Sequence, residues 1–302
     1  MTSTTADRPT RVSTARVGLW ARIREIWRYR ELLVAFSRTE LKVKYKNSVL
    51  GFAWSMLNPA MYLVVYWVVF DLILGTGIPN FPIFLLSGIL VWNLFATSLN
   101  ASTSSVVANA GLVRKVAFPR EILPLASVGA ALVHFFLQSI VLVGALLIFR
   151  YGVAWSYVPL LPVALFALLA FVAALGILLG SINVHLRDTA HFVELSLIAW
   201  FFITPIVYPY QMVADKIGPA AGVLLLNPMT DIVLTFQRAI YGHVDGVKTV
   251  NGVTTVTRIL PPGVDQWWYL WHLGVIIAAS AVLFGLALVV FGRAEGDFAE
   301  EL

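Results

Sequence analysis

Long apolar runs alternate with short polar breaks along this chain. Six runs hold about 20 mainly apolar residues each, the length that crosses about 30 Å of hydrocarbon. They lie at residues 53–75, 82–108, 122–149, 158–183, 191–209 and 267–291. The fifth is the shortest and ends in TPIVYPY, the pattern of a broken or re-entrant helix whose irregular backbone is buried in protein. Before the first run the period changes. Leu19, Trp20, Ile23, Ile26 and Trp27 fall on one face of a helix, with Arg22, Arg24, Glu25 and Arg28 on the rest. A tryptophan-bearing stripe opposite a basic face predicts a helix lying in the headgroup plane; a helix packed on a partner protein has the same pattern. The segment between runs five and six, 210–266, is too long to be a mere connection. It carries a turn at Asn227-Pro228, then a helical pattern through Ile232, Leu234, Phe236 and Ile240. A Gly/Val/Thr-rich stretch at 243–263 follows and reads as a small hairpin or an exposed loop.

The expected fold is therefore an all-α integral membrane protein with six transmembrane helices in one membrane domain. Residues 1–16 form a tail, 17–50 the amphipathic interface region, 51–292 the six-span domain with its outer loop at 210–266, and 293–302 a second tail. Composition agrees. Apolar residues make up 59% of the 302, above the roughly 45–50% of soluble domains, and charged residues 12%, about half the usual share. There is no cysteine, so no disulfide framework and no cysteine metal site is expected. The first 50 residues are polar and basic, unlike a cleavable signal peptide. The net charge of +5 matters through its placement. With both termini in the cytoplasm, 16 of the 21 Lys and Arg residues lie inside: eleven before the first span, then Arg114, Lys115, Arg120, Arg187 and Arg293. Arg150, Lys216, Arg238, Lys248 and Arg258 lie outside. That asymmetry sets the orientation.

The break GLVRKVAFPREILP, 111–124, concentrates charge between spans two and three. Too short to fold alone, it reads as a rigid inward elbow whose charges and exposed Phe118 dock on a cytosolic partner, or as a positive loop that only holds topology. Pro119 and Pro124 fix the angle of entry into the next span. Tyr62, Tyr66 and Phe70 share one face of span one, and Trp67, Trp92, Phe95, Phe135, Phe136, Trp200, Phe201 and Phe202 lie in other spans. Such rings suit a path for sliding sugars, or they are membrane-belt and packing residues. His134 and Gln138, one turn apart, form either a polar spot in the path or, preferably, an interhelical hydrogen bond. The scarcity of mid-span carboxylates argues against a proton- or sodium-coupled carrier. Gly176 and Gly180 let span four approach another helix closely, inside the subunit or across to a second copy. His185 and His191 are spaced poorly for a shared metal on one helical face, and Asp188 or Thr189 can cap the next helix. No P-loop run is present, and no Gly-Lys pair, so ATP would have to be bound by another chain. The absence of an Asp-x-Asp or a carboxylate cluster outside the tail (Glu295, Asp297, Glu300, Glu301, read as a solvated end) disfavours a membrane-embedded glycosyltransferase. No cofactor, metal or nucleic acid is expected.

Four motifs in order, KYKNSVLGFAWSMLNP (44–59), LVRKVAFPREILP (112–124), NVHLRDTAHFVE (183–194) with TPIVYP (204–209), and LNPMTDIVLTFQRAIYG (226–242), make the chain resemble a known family. It is the membrane subunit of ABC exporters for polysaccharides and polyol phosphates, of the O-antigen, teichoic acid and galactan type. The resemblance spans about 30–292. It implies a homodimer of six-span subunits in the bacterial cytoplasmic membrane, with two separate ATPase subunits and a lipid-linked polysaccharide as substrate. It further implies a coupling helix at 111–121 that contacts the ATPase through Arg114, Lys115, Phe118, Pro119, Arg120 and Glu121. A second contact is implied at His185, Arg187 and Asp188, and short gate helices before span six, with Asn227, Pro228 and Arg238 at the gate. The rings of Tyr62, Tyr66, Phe70, Trp92, Phe95, Phe135 and Trp200 become the candidate glycan channel. An exporter of drugs or small lipids with the same architecture is the alternative. The 243–263 insertion is less typical of the family.

Overall fold

A computed structural model describes residues 18–46, 48–73, 78–250, 253–296 and 298–301. The expected N-terminal tail, 1–16, lies outside them. Two helices precede the first span, α1 (Leu19–Arg28) and α2 (Arg30–Lys44). A turn at Gly51, whose φ of +50° favours glycine, leads into α3 (Ala53–Tyr66). The helix widens into a π-turn over Trp67–Ile73. Then come α4 (Phe81–Ala108), the four-residue α5 (Ala110–Val113), α6 (Ile122–Ile148), α7 (Leu160–His185) and α8 (Asp188–Ile203). Beyond α8 lie α9 (Tyr210–Ile217), a 3-10 segment (Gly218–Leu226) and α10 (Pro228–Ile240). A hairpin of β1 (Asp245–Val250) and β2 (Val253–Arg258), paired antiparallel with Asp245 opposite Arg258, occupies the Gly/Val/Thr-rich stretch. The last span is α11 (Gln266–Ala294), followed by the short α12 (Phe298–Glu301).

Five of the six expected runs are helices long and apolar enough to cross a membrane: Ala53–Phe70, α4, α6, α7 and α11. The fifth run is the exception. Its helix α8 has 16 residues, about 24 Å at 1.5 Å per residue, and it breaks at Thr204 into the bends that lead to Pro209. Two prolines, Pro205 and Pro209, remove the backbone donors that would prolong it. Further on, an apolar pair, Ala220–Leu226 and Pro228–Ile240, is bent by 92°, the form of a broken span or a re-entrant loop. Counting that pair as one broken span gives six among the described residues.

Helix α4 is the centre of the bundle, buried along most of its length and packed on α6, α7 and α10. Lipid is as apolar as leucine, so burial alone does not drive such helices together; close packing and hydrogen bonds must. Small residues supply the approach. A Cβ on Gly176 would lie 2.6 Å from Ser102 Cβ, and one on Gly180 3.0 Å from the Ser102 carbonyl oxygen. The Gly176–Gly180 pair therefore seats α7 on α4 of the same subunit. Likewise Gly129 on α6 faces Ser37 on α2, whose hydroxyl donates to the Ala126 carbonyl at 2.8 Å.

Candidate functional site

The ends of α4, α7 and α11 meet at one end of the bundle. Asn183 Nδ2 donates to the Thr103 carbonyl at 3.0 Å, the His185 and Phe298 rings lie 6.0 Å apart, and Arg120 sits 5.7 Å over the Phe298 ring. The elbow and the short α12 beyond the last span thus share one surface. Over 111–121 only the segment ending at Val113 is helical; Arg114 to Glu121 form turns and irregular chain, so the expected helix is far shorter. Arg114 and Lys115 project from it, exposed, as do Val116 and Ala117.

The remaining elbow residues face inward. Phe118, expected exposed, keeps 9% of its surface and packs at 5.8 Å on Phe36 of α2. Pro119 is buried beside it. Glu121 keeps only 3% and forms an ion pair with Arg22 at 2.6 Å. Burial raises the Glu121 pKa; its own backbone N–H and the Arg22 charge act in the opposite direction. Arg120 donates to the Glu295 carbonyl at 2.6 Å. The reason is geometric: Pro119 and the start of α6 turn the chain back toward the bundle, so residues after 117 meet α1, α2 and α11. Glu295, expected in a solvated end, instead accepts from Arg22 at 3.0 Å, and Phe298 is fully buried against Phe291. Sequence reading missed Arg22, Glu295 and Phe298. The one signal was a phenylalanine standing in an acidic tail, FAEEL. His185, Arg187 and Asp188 are all exposed on this same end, at the α7–α8 junction.

The aromatic residues separate into two groups. Tyr62, Tyr66 and Phe70 are partly exposed and form a row, with centroids 6.0 and 5.7 Å apart, that continues to Phe81 at 4.4 Å. Trp92, Phe95 and Phe135, expected as channel residues, are buried inside the single subunit. Phe95 stacks on Phe171 at 5.8 Å and meets Trp200 edge-on at 5.0 Å, and Phe135 abuts Phe236 at 6.2 Å. In this subunit all three pack against neighbouring helices rather than lining an open surface: Trp92 and Phe95 lie on the largely buried α4, and Phe135 lies on the side of α6 that meets α10. His134 forms the interhelical contact, with Nδ1 2.9 Å from Ser55 Oγ and 3.1 Å from Tyr45 Oη, which also bond each other. Those partners lie on α3 (Ser55) and at the end of α2 (Tyr45).

At the opposite end, Asn227 organises the re-entrant bend. Its Oδ1 accepts from the Met229 N–H at 3.1 Å, capping α10, and from Trp200 Nε1 at 2.8 Å. Its Nδ2 donates to Thr204 Oγ1 at 2.9 Å. Pro228 stands at the first position of α10, where its missing N–H costs nothing. Arg238 braces the far end of α10: it donates to the Gly242 carbonyl at 2.9 Å and lies 4.6 Å over the Tyr157 ring. Gly242 has a φ of +74°, a conformation that favours glycine. Among the described residues no group of three or more metal-ligating side chains occurs.

Apolar helices joined by a basic elbow, with a re-entrant pair at the other end, define a multi-pass helical membrane protein. The chain belongs to the ABC-2 type transporter family, which it matches over residues 31–239. It is 36% identical over 221 residues to an O-antigen export system permease protein RfbA of Myxococcus xanthus, covering 73% of this chain and 84% of that one. It is 27% identical over 272 residues to an RfbA of Klebsiella pneumoniae, covering 90% and 95%. It is 20% identical over 230 residues to the polysialic acid transport protein KpsM of Escherichia coli, covering 73% and 85%.

Proposed function

We propose that this chain is the membrane-spanning subunit of an ATP-driven exporter that moves a lipid-linked polysaccharide across the bacterial cytoplasmic membrane. One observation carries the reading: relatives named as O-antigen export permeases align with 73% and 90% of the chain. The subunit makes no chemical bond. Two copies of a separate ATPase bind and hydrolyse ATP, and two copies of this chain form the path between them. Both termini and the elbow face the cytoplasm, in keeping with the excess of basic residues there. Exposed Arg114 and Lys115 meet the ATPase, with His185, Arg187 and Asp188 as a second contact. Exposed apolar rows on α3 (Trp54, Leu57, Met61, Val64) and on α8 (Phe192, Leu195, Ile198, Phe202) suit pairing with a second copy. Facing rows of Tyr62, Tyr66 and Phe70 give sugar C–H faces a stacking surface that tolerates sliding. The bend at Asn227 and Pro228, braced by Arg238, acts as the outer gate.

The test is reconstitution with the cognate ATPase in proteoliposomes. ATP-dependent translocation is measured for a lipid-linked glycan and for the same lipid carrier without its glycan. Translocation of the glycan-bearing lipid alone supports the reading. Equal movement of both lipids favours a small-lipid exporter, and movement without any ATPase refutes an ATP-driven role.

A further inference from the structure

Helix α1 is held to the bundle in an unusual way. None of its residues is buried; Trp20 and Trp27 remain 82% and 71% exposed, and an open cavity of about 840 Å³ separates it from the elbow and the end of α11. Its apolar contact is partial: the half-buried Ile23 and Ile26 lie against the cluster that holds Leu288, Phe291 and Phe298. What bridges the cavity is charge. Arg22 reaches from α1 to Glu121 of the elbow at 2.6 Å and to Glu295 beyond α11 at 3.0 Å, and also donates to the Leu288 carbonyl at 3.3 Å. Arg120, next to Glu121, grips Glu295 through its carbonyl and lies over Phe298. The guanidinium of Arg22 lies flat on α11 only because position 292 is glycine: a Cβ there would fall 2.5 Å from Arg22 Cζ. A buried carboxylate without its cation is costly, so the elbow resists separating from α1.

We infer that Arg22, Glu121, Glu295 and Arg120 form a clamp that makes α1, the elbow and the inner end of α11 move together when the elbow is pushed. This inference rests on the proposed role of the elbow as the point where the ATPase acts. The elbow is then no free lever. Force entering at Arg114 and Lys115 is divided between α6, the last span and the helix at the membrane surface. Glu121 and Arg22 are positioning residues: they touch neither substrate nor nucleotide and act by keeping three segments in register.

The full permease–ATPase complex in lipid nanodiscs tests this by spin-label distances. The sequence has no native cysteine, so Arg24→Cys on α1, Gly111→Cys in the elbow and Ser156→Cys at the opposite end give unambiguous label sites. On adding ATP with vanadate, the 111–156 distance is expected to change while the 24–111 distance stays fixed and narrow. Glu121→Gln removes the charge from the clamp. Gly292→Ala keeps every charge but displaces the Arg22 guanidinium. Each is expected to broaden the 24–111 distance and to lower glycan exported per ATP hydrolysed about tenfold, with ATPase binding retained. A purely structural role would lower yield in both variants and leave export per ATP unchanged in the protein that folds, which overturns the inference. An ATP-driven change in the wild-type 24–111 distance overturns it as well, without needing either variant. Failure of the 111–156 distance to respond in wild type would refute the elbow reading itself and the clamp with it.

Discussion

Replacing Asn227 by alanine removes three hydrogen bonds at one point of the re-entrant bend. The cap on the Met229 N–H contributes about 1 kcal/mol. The bonds from Trp200 Nε1 and to Thr204 Oγ1 contribute about 1 kcal/mol each. Loss of all three should favour opening of the bend by about 3 kcal/mol, a shift of about a hundredfold in the open population. Met229, fully buried just past the cap, reports that opening: as Met229→Cys it is the sole thiol in the chain. Its rate of modification by a small membrane-permeant maleimide should rise about a hundredfold in Asn227→Ala. In Asn227→Asp the acceptor for Met229 and Trp200 survives and only the donor to Thr204 is lost, so the rise should be about fivefold. Equal rates in wild type and Asn227→Ala would refute the idea that Asn227 holds the bend closed. Equal rates in the Asp and Ala variants would show that the acceptor bonds contribute nothing.

Three further outcomes are expected. Charge reversal of the two exposed elbow residues, Arg114→Glu with Lys115→Glu, should abolish ATP-driven export in proteoliposomes while the protein still inserts; unaltered export removes the elbow from the coupling path. Trimming Tyr62 and Tyr66 to alanine should slow glycan export without reducing ATPase binding, whereas unchanged flux assigns both rings to packing. Gly176→Ala drives a methyl into Ser102 and should cost about 2 kcal/mol, lowering the apparent Tm in detergent by about 5 °C. Adding Ser102→Gly should restore part of that loss; no recovery would place the strain elsewhere.

The sequence alone determined the membrane class and most of the spans, because 20-residue apolar runs have few other uses and hydropathy depends on composition rather than on contacts. The elbow, the turn at Asn227-Pro228 and the stripe on α1 were legible for the same reason: each is a local pattern of charge, proline or helical period. Partnership was not legible. Whether Gly176–Gly180 meets another subunit or its own, and whether Trp92, Phe95 and Phe135 face a path or a core, depends on which helix stands at the centre, and period cannot tell one buried face from another when lipid and protein interior are equally apolar. Tertiary structure placed α4 there. It also joined Arg22, Glu121 and Glu295, more than 90 residues apart in sequence between Arg22 and Glu121 alone, into one ion cluster. Charges near the ends of spans look alike in a sequence; only the folded chain decides which face water and which face one another.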